Sequence, residues 1–183
     1  MTLYPEPYIQ YLVHFHGDRD WFECHELLEE YWKAHPEDPK SRTWVGLIQV
    51  AVGLYHERRG NRRGAVKMLK SAELNLNAQH MAELGLKAEA TFRSVMERRQ
   101  LVEAGVTIGE RFLDLNLTIA DPELLRKCLT VCSEQGLIWG APSQLENEEL
   151  IHRHTRRDRS DVIAARAAEA ERRRQMRQRG SSR

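Results

Sequence analysis

The sequence predicts an all-α fold: a compact multi-helix bundle with a helical C-terminal extension and a basic tail. Three observations predict it. Apolar residues recur at helical spacing almost throughout, and no sustained period-2 run of β-branched residues interrupts them. Helix punctuation is frequent, with starters at Asp20, Ser41, Asn61 and Asp121-Pro122 and stops at Gly60 and Gly136. A chain of 183 residues suits one principal core. The expected organisation is a helical bundle over residues 1–104, a helical extension over 105–150 and a basic tail over 151–183.

The first helix is expected from about Tyr8 to Phe15, entered through Pro5 and Pro7 and broken by Gly17 and Asp18. The second starts after Asp20 as N-cap and ends before Pro36. His35–Lys40, with two prolines, is a loop short enough to make its neighbours antiparallel. Ser41 is the expected cap of a third helix running to about Arg59. Gly60 closes it and Asn61 caps a fourth, which is expected to continue towards Ala104 with a break near Gly85. Residues 105–119 read either as a helix or as an irregular segment. Asp121-Pro122 opens the next helix, closed at Gly136. Ser143-Gln-Leu-Glu146 has the pattern of a capping box before a final helix.

The second and third helices carry the polar residues of interest. On FECHELLEEYW, the apolar arc of Trp21, Phe22, Cys24, Leu27, Leu28, Tyr31 and Trp32 also contains His25 and Glu29, which are i, i+4 neighbours. WVGLIQVAVGLYHERR is apolar in nearly every direction, so it is expected at the centre of the bundle. Gly46 and Gly53 would let a neighbour approach closely, and beside them lie Gln49 and His56. Antiparallel packing is expected to bring His25 and Glu29 against Gln49 or His56, with Glu26, Arg59 and Asn61 nearby. Polar groups on an apolar face need partners, so a buried hydrogen-bond network that fixes helix register is one reading. The other is a small-ligand or divalent-metal site, because His and carboxylate groups on facing helices hold zinc, iron or manganese. The expected metal set is His25, Glu29 and His56. No activated nucleophile stands beside the candidate base, so no catalytic motif is identified and a non-enzymatic role is expected.

The runs HFHGDRDWFECHELLEEYW and WVGLIQVAVGLYHERRGNRRGAVKML resemble the bacterial and archaeal family of domain of unknown function 309. The resembling positions are Phe22, His25, Glu26, Leu28, Glu29 and Trp32, then Gly46, Leu47, Ile48, Gln49, His56, Arg59, Asn61, Gly64 and Ala65. The resemblance covers about residues 8–75 and implies an all-helical domain; it implies no activity.

Charge is unevenly divided. Residues 151–183 hold 11 arginines, no lysine and four acids, a net of +7 against −6 for residues 1–150. Clustered arginine suits phosphate contact, so the tail is a candidate for weak nucleic-acid binding, although no interleaved aromatic supports base stacking. The segment from Gly53 to Leu76 also resembles one tetratricopeptide-like hairpin, without a second copy. A helical protein-interaction module is therefore the alternative function. No apolar stretch approaches the ~20 residues of a membrane span, and no secretory signal is evident at the start. Three cysteines, at 24, 128 and 132, fit core positions in a reducing, cytoplasmic setting better than a disulfide framework or zinc knuckle.

Overall fold

The computed structural model describes residues 4–106 and 112–153. Their helices are α1 (Glu6–His16), α2 (Trp21–Ala34), α3 (Ser41–Arg58), α4 (Arg62–Asn75), α5 (Ala78–Glu83), α6 (Ala88–Ala104), α7 (Pro122–Glu134) and α8 (Glu148–Ile151). Among the described residues there is no strand, only an isolated bridge between Leu86 and Ile119. The fold is all-α. Residues up to Ile151 form one unit; a second, from His152, lies almost wholly outside the described residues, and with it the expected tail.

The first turns follow the local chemistry of the chain. Asp20 caps α2 by accepting from the Glu23 amide at 3.0 Å. Asn61 caps α4 through the Gly64 amide at 3.0 Å, and Asp121 caps α7 through the Glu123 amide at 2.9 Å. Each side chain satisfies an amide that the helix itself leaves unpaired.

Three expectations change. The helix expected between Asn61 and Ala104 is three helices. Besides the break at Gly85, Leu76 is extended and Asn77 turns its side chain onto the His80 amide at 3.0 Å, capping α5. Ser41 is not the cap of α3 but its first residue, and its hydroxyl accepts from the Trp32 indole at 2.7 Å. Ser143 opens no capping box: its amide and hydroxyl are bound to Asp114 at 2.7 and 2.5 Å. The final short helix starts later, with Asn147 accepting from the Leu150 amide at 3.1 Å. Of the two readings of residues 105–119, the irregular one holds for residues 112–119.

α3 is the central helix, packed against both α2 and α4. Trp44, Leu47, Val50, Ala51 and Leu54 are buried along it. α2 and α3 are antiparallel: Phe22 meets Tyr55 at one end (6.1 Å between ring centroids), and Tyr31 meets Trp44 at the other (5.3 Å). On the opposite side the two glycines of α3 receive α4. A Cβ on Gly46 would stand 2.9 Å from the Leu76 side chain and 3.0 Å from its amide nitrogen; one on Gly53 would stand 2.8 Å from Leu69. α1 packs against α2 and α7, and α6 covers α4.

Candidate metal site

The i, i+4 spacing on α2 does bring His25 and Glu29 together. His25 Nε2 lies 3.6 Å from a Glu29 oxygen. Glu26 completes the group, with its carboxylate 3.0 Å from His25 Nδ1. The second oxygen of Glu29 pairs with Lys33 Nζ at 3.1 Å. The side chains of His25, Glu26 and Glu29 are 28%, 33% and 35% exposed, so this is a half-buried surface group and not a buried one. The buried face of α2 is only Trp21, Cys24 and Leu28, narrower than the apolar arc of the sequence, so His25 and Glu29 fall at its edge and keep their polar ends in water.

The other four expected residues lie elsewhere. Gln49 faces α4, where its side-chain oxygen accepts from Asn75 at 2.9 Å. Asn61 donates to His56 Nδ1 at 3.1 Å while its oxygen caps α4. Burial and then the neighbouring Arg59 charge hold the His56 imidazole below its ordinary range, which suits its role as a neutral acceptor. Gly64 is required beneath this pair: a Cβ there would come within 2.7 Å of Asn61 Nδ2 and 2.9 Å of His56 Cγ. Arg59 lies over the Tyr55 ring, 5.3 Å from its centroid. The seven residues thus fall into a group on α2, a pair between α3 and α4, the His56–Asn61 turn and a cation–π contact.

The expected metal set of His25, Glu29 and His56 is accordingly not assembled. Among the described residues, the His/Cys/Asp/Glu group able to surround an ion is His25, Glu26 and Glu29, whose ligand atoms lie within 4.8 Å of one another. His56 is turned to the α3–α4 connection, and at its level Phe22 and Tyr55 fill the α2–α3 contact.

The sequence reading missed a second polar network, beneath the start of α2. Arg19 is 1% exposed and adopts a left-handed φ of 59° in the turn after Gly17. It donates to the carbonyls of Phe15, Leu115 and Ala141 and approaches Asp114 at 4.0 Å. Arg58 lies over Trp21, 4.3 Å from the ring centroid, and donates to Arg19 O and Ser143 Oγ at 2.8 and 3.1 Å. Burial lowers both guanidinium pKa values, that of Arg58 to about 10. A turn arginine carries no burial signal in a single sequence, and two of the three carbonyls that receive it, those of Leu115 and Ala141, are about a hundred residues away. These partners give the network a structural task, fastening the C-terminal segments to the bundle.

Together these features define a class: a small all-helical bundle around a glycine-notched central helix, with an imidazole–carboxylate group on an outer helix. The family model described as Domain of unknown function (DUF309) matches residues 8–68. The chain is 43% identical over 177 residues to "Uncharacterized protein YpuF" of Bacillus subtilis (strain 168), covering 96% of this chain and 99% of that one. An "Uncharacterized protein" of Aquifex aeolicus (strain VF5) is 30% identical over 57 residues, 31% of this chain and 17% of its own. No solved structure matches the chain. The protein belongs to the DUF309 family.

Proposed function

We propose that the protein binds a divalent transition-metal ion at the cluster formed by His25, Glu26 and Glu29, with His25 and at least one of the two carboxylates as ligands. The observation that carries this reading is the gathering of one ligand atom from each residue within 4.8 Å. Imidazole nitrogen with carboxylate oxygen suits zinc, manganese or iron, and an ion there would neutralise two adjacent carboxylates. The test is elemental analysis of protein purified without a polyhistidine tag, together with calorimetric titration of zinc and manganese. About one ion per chain, lost in His25→Ala, is the expected result. Less than about a tenth of an ion per chain, with no titratable site and no change in His25→Ala, overturns it.

The division of charge favours a second reading, a helical interaction module whose segment 151–183 contacts a polyanion such as nucleic acid or an acidic protein. Pull-down with the whole chain and with a chain ending at residue 150 tests it. Loss of an RNase-sensitive partner on removal of the segment supports nucleic acid. Equal capture by both forms argues against a role for the segment. Among the described residues no helix is long and apolar enough to cross a membrane. A cytoplasmic setting is supported by three unpaired cysteines, all buried.

A further inference from the structure

Resting on that reading, we infer that His25 Nε2 and Glu29 hold the ion while Glu26 positions the imidazole, leaving outward coordination positions for an anionic oxygen ligand such as a phosphate or carboxylate. The two contacts of His25 differ in kind. Its Nδ1 lies 3.0 Å from Glu26, a hydrogen-bond distance, whereas Nε2 lies 3.6 Å from Glu29, too long for one. Two ligands of one tetrahedral ion, each at about 2.0–2.1 Å, stand about 3.4 Å apart. The Nε2–Glu29 separation has that size. With the Nδ1 proton donated to Glu26, the Nε2 lone pair is left for an ion shared with the Glu29 oxygen.

The two ring nitrogens diverge, so an ion on Nε2 lies away from the carboxylate that receives Nδ1–H. Glu26 then does for His25 what an acceptor beside a ligating imidazole ordinarily does: it fixes tautomer and ring orientation and raises basicity. Lys33 holds the other Glu29 oxygen at 3.1 Å and so favours coordination of Glu29 through one oxygen. Two protein ligands leave a four-coordinate ion two further positions. His25 and Glu29 are 28% and 35% exposed, so those positions face outward. Glu26 and Glu29 together balance a divalent ion, and the Lys33 ammonium 3.1 Å from Glu29 leaves a net positive charge that favours an anionic oxygen donor.

Cobalt(II) titration followed by visible absorption tests the assignment, with far-ultraviolet circular dichroism confirming that each variant is folded. Glu26→Ala should weaken cobalt affinity by about 10–100-fold and leave the saturated spectrum in place. Glu26→Gln, which still offers Nδ1–H an acceptor, should recover part of that loss. Glu29→Gln should abolish binding or change the saturated spectrum. Inorganic phosphate or acetate added to the loaded wild-type protein should shift its bands. Loss of binding or an altered saturated spectrum in both Glu26 variants makes Glu26 a ligand and overturns the assignment. Bands indifferent to both anions overturn the open positions. A wild-type protein that binds no cobalt, zinc or manganese overturns the metal reading itself.

Discussion

Single imidazoles show how differently this fold uses one residue type. His25 is half-exposed between carboxylates, His56 is an acceptor for Asn61, and His16 is a buried structural group. The His16 side chain is 2% exposed and stacks on Trp139 with ring centroids 4.3 Å apart. Its Nδ1 donates to Leu12 O at 2.8 Å, and its Nε2 accepts from the Leu117 amide at 3.1 Å. Burial, with the Arg19 charge acting in the same direction, pushes its pKa down to about 4 from 6.5, although its backbone hydrogen bonds oppose the shift. Between these values the unfolded chain takes up a proton that the native ring refuses. Stability from this residue is therefore complete above about pH 6.5 and falls as pH drops towards 4, by about 3 kcal/mol in all. Urea unfolding of wild type and His16→Gln at pH 7 and pH 4 checks this. The wild type should lose about 3 kcal/mol more than the variant over that interval; equal losses would show that the ring titrates normally in the native state.

At the scale of helices, sequence pattern works well wherever one element decides the matter alone. Asp20 and Asn61 cap the helices they were expected to cap, and α7 opens at Asp121-Pro122 as expected, with Asp121 as its cap, because an Asx side chain needs only an amide two or three residues ahead. His25 and Glu29 meet because i, i+4 spacing is a property of one helix. Reading fails where two elements compete for one group. Ser143 satisfies Asp114 instead of a helix start, and His56 answers to the α4 turn instead of α2. The glycines of α3 are legible as a groove, but only the structure assigns the groove to α4. At Gly46 the obstacle includes the Leu76 backbone, 3.0 Å from where a Cβ would stand, so a side-chain rotation cannot relieve it. Gly46→Ala should therefore destabilise the protein by about 1–3 kcal/mol despite alanine's better helix propensity. Its denaturation midpoint should fall, and an unchanged or raised midpoint would show that α4 shifts freely away from α3.

For the molecule as a whole, the question is whether the helices before residue 105 are self-sufficient. Sequence reading places a boundary there, and the family match ends earlier, at residue 68. Burial points the other way. Leu115, Leu117, Leu124, Cys128 and Cys132 join the same core cluster as Tyr8, Leu12 and Trp21. The polar fastenings follow the same direction: Arg19 donates to Leu115 and Ala141, Arg58 to Ser143, and His16 bonds Leu117. A chain ending at residue 104 would keep the two arginines and lose most of the acceptors that make their burial tolerable. Removing one partner of a buried charged group costs about 3–5 kcal/mol, and whole-domain stability is only about 5–15 kcal/mol. Residues 1–104 alone should consequently show helical circular dichroism without a cooperative thermal transition, and dispersed side-chain resonances should be missing from its proton spectrum. Residues 1–153, which keep every fastening named here, should unfold in one sharp step. A cooperative transition in the shorter chain would mean that the first six helices form the true folding unit and that α7 and its flanking segments are packed onto a finished core.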